Sequence, residues 1–530
     1  MKKQTIQLMM ASLLALCPIG GTAQSSTQNY ILNRTFTSAD GSASQRQVTY
    51  YDGLGRPVQT TDIGITPAKK DLVSLQEYDN QGRKFRAWLP VQNAGNGAYL
   101  NVSTLKSNAV SQYGGDSRPY TQTLYETSPL ERPVTLYGTG TAWASKPTSY
   151  KYGIVTPRSF ASEIAHLPMG SYLSIRTTDE DGRISYTFTD ELGREFLTGR
   201  MNGNEMHFTY LEYDANDDLT AVHSPMSSTP PLGTSSTDLE GEYSYSYRYN
   251  PFHRRIMEKR PGCDAVYYIY DKGERLVFSQ DGEQRGRGEW TFTIPDVFGR
   301  TLLKGVCKNM FYYDDYPFIN IVTEAKRTNA SNSLYGHTVS GVTLNNATLH
   351  GVNFYDDYAF IGKNGVPTSL NYASPPSGYG TRYTGGYKGL LTGTVTARLD
   401  ASGVAGYDYT AYYYDDRGRV IQTRSTNHLG GTDVEYVAYN FVGDPVKRQH
   451  VHTASGKATQ TETYTYTYDH AGRLTVTKYR LNSNAEITLS SNTYDELGRL
   501  QTKSFHGSAT NRQTYSYNIR DWLTGISGSK

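Results

Sequence analysis

The stretch "YYDGLGRPVQT", Tyr50 to Thr60, decides the fold, because part of it returns along the chain. "EYDNQGRKF" begins at Glu77, "YYDDRGRVI" at Tyr413, "TYDHAGRLT" at Thr467 and "TYDELGRLQ" at Thr493. In Asp52-Gly53-Leu54-Gly55-Arg56, the aspartate can accept backbone N–H groups at the first corner of a type I turn. The glycine three residues on takes the left-handed conformation that returns the chain into the partner strand. A residue with a side chain would cost about 1–2 kcal/mol there. Asp and Arg then close the hairpin as a cross-strand pair, and Tyr lies opposite the residue after Arg, as in Tyr468 against Leu474 and Tyr494 against Leu500. The phrase is a hairpin corner. Its sharp copies place these residues at Tyr51, Asp52, Gly55 and Arg56, at Tyr78, Asp79, Gly82 and Arg83, and at Tyr414, Asp415, Gly418 and Arg419. Two more lie at Tyr468, Asp469, Gly472 and Arg473, and at Tyr494, Asp495, Gly498 and Arg499.

The flanking sequence alternates with period two. "ETYTYTYD" puts Tyr464, Tyr466 and Tyr468 on one face, and "EYSYSYRYN" does the same with Tyr243 to Tyr249. That is strand, not helix. "TDEDGRISYTFTDELGR" carries two turn phrases, at Asp179–Arg183 and Asp190–Arg194, joined by one strand's length of chain. Successive turns therefore lie at opposite edges, and one repeat is two strands plus two turns. The motif tyrosines Tyr414, Tyr439, Tyr468, Tyr494 and Tyr517 are spaced by 25, 29, 26 and 23 residues. The predicted fold is all-β, an antiparallel hairpin ribbon that grows by adding hairpins and coils into a solenoid-like or shell-like structure. Degenerate copies keep Asn for Asp at Asn250, Asn440 and Asn518. Asn preserves the turn bond, whereas a catalytic carboxylate would not tolerate the swap.

Composition agrees: 46 Tyr and 51 Gly, with charged residues only 19% of the chain. Tyrosine suits a half-wet pleated surface, and glycine supplies turns. Lys2 and Lys3, the apolar run Ile6–Leu16 and Gly21-Thr22-Ala23 read as a signal peptide cut between Ala23 and Gln24. Cys17 follows Leu16, a poor neighbour for lipid attachment. No later run is apolar enough to span a bilayer as a helix, so the expected location is secreted or cell surface. Formal net charge is +2 and falls close to zero without the signal lysines, which excludes a nucleic-acid stripe. Cys263 and Cys307 remain, enough for one disulfide and too few for a disulfide framework.

The sequence divides into a signal peptide at 1–23, an N-terminal domain with two repeats at 24–170 and a repeat block at 171–300. An irregular insert or set of excursions follows at 301–405, then the cleanest repeats at 406–530. The corner phrase at this spacing resembles the YD repeat of the RHS family of bacterial secreted and surface proteins. "VTYYDGLGRPVQT … DLVSLQEYDNQGRKFRAWLPV" resembles the amino-terminal domain that opens RHS-repeat proteins of the Bacteroidetes type. The resemblance is strong over 48–90 and 406–530 and weak over 301–405. It implies repeats that coil into a hollow β-shell around a variable C-terminal toxin, reached through a core region. No core segment follows the repeats here, so the resemblance implies a chain incomplete at its C-terminus. A single Asp-Pro pair, Asp444-Pro445, stands where self-cleaving relatives use more.

Catalytic, cofactor and metal signatures are absent: no His-Glu-x-x-His, Cys-x-x-Cys, phosphate-binding loop or Gly-x-Ser-x-Gly. Ser117 in "GGDSRPY" reads as a loop serine. His450 and His452 share a strand face but lack a third metal ligand. "YYDDYPF" and "FYDDYAF" lack the spacing of a Ca²⁺ loop. The expectation is an exported, non-enzymatic scaffold, part of a β-shell that encapsulates or presents a C-terminal effector. The alternative is a surface adhesion module binding glycans or envelope partners through its tyrosine faces.

Overall fold

The structure, a computed structural model, describes residues 25, 27–159, 169–228, 243–311, 318–328 and 330–528. The cleavage residues Ala23 and Gln24 lie outside the described residues. Among the described residues, period-two sequence and corner chemistry produce one sheet of 32 strands, 31 of which form an antiparallel meander in which each strand pairs with the next. The short strand Phe318–Ile319 is added in parallel on Tyr270–Asp271. A separate hairpin pairs Glu324–Arg327 with His337–Ser340. The fold is all-β, a hairpin ribbon.

Strand Ile184–Thr189 pairs with Tyr172–Thr178 on one side and Glu195–Asn202 on the other. The corners at 179–183 and 190–194 therefore sit at opposite edges, as their separation predicts. Applied along the meander, the same parity gives the ribbon two unlike edges. The corners at 52–56, 79–83, 190–194, 250–254, 296–300, 415–419, 469–473, 495–499 and 518–522 all fall on one, the corner edge. Plainer turns fall on the other, the turn edge, together with the corner 179–183 and the turn 427–431, where Asn427 makes the corner's bonds.

The ribbon runs on through 301–405, where Thr301–Cys307 pairs with Thr348–Asp356 and that strand with Tyr387–Asp400. What is irregular there is a pair of excursions, 308–347 and 357–386. They cover one face of the sheet and create the largest core, around Trp290, Phe292, Leu303, Phe354, Val395 and Tyr413. Phe354 and Phe360 stack within it at 4.1 Å. A second cover is the helix Val102–Gln112, which buries Leu105 and Ala109 against Val73, Leu75, Trp88 and Val91. Sequence reading gives no sign of this helix. It is Ser-, Thr- and Val-rich, its apolar face is two residues wide, and it stands only because the sheet beneath is apolar. Where nothing covers the sheet, little is buried: beyond Tyr436, Thr463 is the one buried side chain among the described residues. Cys263 is exposed and Cys307 buried, both as free thiols, with burial pushing the Cys307 thiol up to about 11.

Candidate functional site

Each corner is built from one aspartate. Asp52 Oδ1 accepts the backbone N–H of Leu54 and of Arg56, each at 2.9 Å, and Oδ2 accepts Arg56 Nε at 2.8 Å. The turn closes with Gly55 N–H on Asp52 O at 3.1 Å, Gly55 taking φ +77°. Asp79/Arg83, Asp415/Arg419, Asp469/Arg473 and Asp495/Arg499 repeat the clamp. Three further corners do so too: Asp190/Arg194, Asp271/Arg275 and Asp296/Arg300.

The tyrosine belongs to the next corner along. Tyr78 donates its hydroxyl to Pro57 O at 2.9 Å, and the Arg56 guanidinium lies 4.4 Å over its ring. Tyr494 takes Leu474 O and Arg473 in the same way, and Tyr517 takes Leu500 O and Arg499. Tyr414 and Tyr468 bond Leu391 O and Pro445 O. Tyr51 heads the series, paired across the sheet with Pro57 and Asn29. Each Tyr-Arg contact adds a cation–π term worth about 0.5–1 kcal/mol at an exposed site. The motif thus links corner to corner, Asp organising its own turn and Tyr holding the arginine of the preceding one.

Asparagine replaces aspartate where no arginine needs an anion. Asn250 Oδ1 still accepts the N–H groups of Phe252 and Arg254 at 3.0 Å, but the Arg254 guanidinium turns to Glu274. Asn440 reverses the polarity and donates to Asp444. His253 and Asp521 take the glycine position with φ +60°.

Burial raises the Asp469 carboxyl, but the backbone N–H and guanidinium of Arg473 outweigh it and hold the group below its usual range. Asp79, Asp190 and Asp415 behave alike. Their contribution to stability is complete above the unfolded value of 3.8 and is lost as pH falls through the lower folded value. Burial also holds His337 and His350 below 6.5, so stability falls as pH drops through 6.5, where the unfolded imidazoles take up protons. Asp71, raised by burial, works in the opposite sense. Thermal unfolding is expected to show a shallow decline below about pH 6.5 and a steep one below about pH 4. An unchanged Tm at about pH 3 would show that the corner carboxylates contribute nothing.

The ribbon also meets itself. Gln45 Nε2 donates to Ala471 O at 3.2 Å, and His470 Nε2 lies 2.9 Å from Gly64 O. Tyr113, its phenol pushed up to about 12 chiefly by burial, feels the charges of Asp521, Arg499 and Asp495. Arg520 makes the tightest joint, with a side chain only 10% exposed. It forms a two-point pair with Glu180 at 2.5 and 2.6 Å, donates to Thr139 O at 3.1 Å, and lies 4.0 Å over Trp143, which meets Trp522 edge-on. A Cβ on Gly138 would fall 1.6 Å from the guanidinium. Every one of these joints sets the corner edge of 469–522 on the turn edge of 45–180. Later corners land on later turns. That is the seam of a coil whose strands advance by one ribbon width per turn.

The other sequence candidates resolve as follows. Ser117 Oγ pairs with Thr141 Oγ1 on an exposed loop. His450 Nε2 and His452 Nδ1 turn onto one oxygen of Asp433, at 3.2 and 2.6 Å. Among the described residues, no group of three His, Cys, Asp or Glu is placed to hold a metal. Of the "YYDDYPF" stretch, residues 312–317 lie outside the described residues. In the second Asp pair, Asp356 holds Arg300 and Asp357 holds Arg327. These ion pairs rim a cleft of about 490 Å³ beneath the 324–340 hairpin. No described helix is long and apolar enough to cross a membrane. The seam is what sequence reading missed: nothing local distinguishes Arg520 from any other third residue of a corner.

Residues 23–156 match a family described as "Domain of unknown function (DUF6443)". No curated protein matches the chain. Among solved structures, similarity extends to the Tc holotoxin pore of Photorhabdus luminescens, at 13% identity and TM-score 0.43 over 94% of this chain and 24% of that one. It extends also to crystal structures of TcdB2-TccC3, at 13% identity and TM-score 0.44 over 94% and 25%, and of TcdB2-TccC3-TEV, at the same identity and score over 99% and 25%. The chain spans about a quarter of the length of these structures.

Proposed function

We propose that this protein is an exported, non-enzymatic scaffold of the RHS/YD-repeat kind, a length of coiled β-wall that encloses or presents an effector polypeptide. The observation that carries the reading is the seam. Corners 469–522 return onto turns 340 to 426 residues earlier in the chain, so the ribbon curves round a central axis and leaves an inner and an outer face. The corner motif supports the same reading, since its Asp and Arg clamp each sharp corner and Tyr78, Tyr414, Tyr468, Tyr494 and Tyr517 tie one corner to the next. Signal-directed export and the RHS resemblance of 48–90 and 406–530 supply the setting. The adhesion reading has less behind it: Tyr78, Tyr414, Tyr468, Tyr494 and Tyr517 have their hydroxyls bonded within the wall. The test is to recover the protein from the secreted fraction of its native cell and treat it with protease. A co-purifying polypeptide protected until the wall is unfolded is expected. A bound polypeptide digested as fast as in free solution would leave presentation without enclosure, and none bound would refute the scaffold reading.

A further inference from the structure

The chain contains the same corner twice, and the two copies have different surroundings. Asp190-Glu191-Leu192-Gly193-Arg194 and Asp495-Glu496-Leu497-Gly498-Arg499 are identical in sequence and in their Asp-Arg clamp. Leu497 belongs to the seam region and is half-buried, whereas Leu192 is 75% exposed. The neighbouring corner 518–522 uses its third residue, Arg520, as the plug that seats in an earlier turn. The third position of a corner is thus the side chain that reaches across to an adjoining ribbon edge.

On the first turn of the coil that position is bare, polar at Gln81 and apolar at four other corners. Leu54 is 79% exposed, Phe252 56% and Phe298 78%, in line with Leu192 along one edge. Such side chains one at a time are ordinary. Here they recur at the position that elsewhere in the same molecule is covered, and the molecule shows what covers it: the turn edge of another stretch of ribbon. No further winding of the same coil can supply that cover, because corners later in the chain land on turn edges, never on the corner edge of the first turn. Turn edges are what such corners meet within this molecule, so a second copy of the chain, which carries one, fits as the occupant.

We propose that the corner edge formed by Leu54, Leu192, Phe252 and Phe298 docks the free turn edge of a second copy of this chain, continuing the seam between molecules. The turn edge beyond the seam offers exposed apolar side chains of its own, at Leu399 (61%) and Leu429 (46%). The contact joins unlike surfaces, so it is head-to-tail and leaves one free edge of each kind on every assembly.

Sedimentation velocity on the purified chain tests this. The wild type is expected to rise in weight-average mass beyond the monomer between about 1 and 100 μM, the range open to a modest interface. The pair Leu192→Asp and Phe298→Asp, on one edge, and the pair Leu399→Asp and Leu429→Asp, on the other, are each expected to stay monomeric with unchanged circular dichroism. Mixing the two variants is expected to restore association and stop it at dimers, because each has one intact edge. A wild type that stays monomeric throughout would overturn the proposal. So would either variant associating like the wild type, or a mixture that stays monomeric.

Discussion

Replacing Asp271 by alanine is expected to cost about 3–5 kcal/mol, the range for breaking a buried ion pair by removing one partner. Asp271 is fully buried. Its Oδ1 accepts the N–H groups of Gly273 and Arg275, and its Oδ2 accepts Arg275 Nε, Arg275 NH2 and the N–H of Thr323. Alanine would unmake the corner, remove the acceptor of the Thr323 N–H and leave Arg275 with Glu324, at 3.7 Å, as its remaining carboxylate, beside the carbonyls of Asp296 and Thr323. For a cooperative unit of 150–250 residues the loss corresponds to a Tm lower by roughly 6–20 °C. Asp271→Asn keeps two acceptor bonds and is expected to fall between. Differential scanning calorimetry decides: an alanine variant melting within about 2 °C of the wild type would mean that packing alone holds the corner.

Replacing Arg520 by alanine is expected to detach the last corner from the first turn without unfolding either. The side chain supplies two charge-assisted bonds to Glu180, one bond to Thr139 O and a cation over Trp143. Such a set is worth about 2–4 kcal/mol when partly buried. Hydrogen exchange should accelerate at 138–143 and 518–524 while 460–481 keeps its protection, since Gln460–Tyr468 and Leu474–Leu481 are paired strand to strand. Arg520→Lys keeps the charge but not the two-point geometry, and an intermediate effect is expected. Gly138→Val reaches the same state from the other side, because its Cβ would occupy the guanidinium's place. Wild-type exchange at both segments in all three variants would show that the seam is held elsewhere.

These two residues mark where the sequence stops being informative. Asp271 stands in "YDKGER", a corner phrase recognisable by eye, and its clamp to Arg275 follows from the turn it makes. Its bond to Thr323 does not, because that depends on where a long excursion settles. Arg520 sits in "NIRDW", a worn copy of the phrase, where only the Asn turn can be read. The helix Val102–Gln112 is a like case: its sequence favours no helix, and the apolar sheet around Val73 and Trp88 selects it.

By itself the sequence determined the strand, the corner and the direction of growth, because each rests on interactions within five residues or between adjacent strands. Period-two alternation, the Asp acceptor, the left-handed Gly and the single strand between two corners are local facts, and local facts survive in a one-dimensional string. Tertiary structure alone decided the curvature of the ribbon, the faces that are covered and the partner of Arg520. Small twists accumulate over thirty strands before the edges meet, so the contact between residue 520 and residues 139 to 180 is a property of the sum, with no motif of its own to announce it.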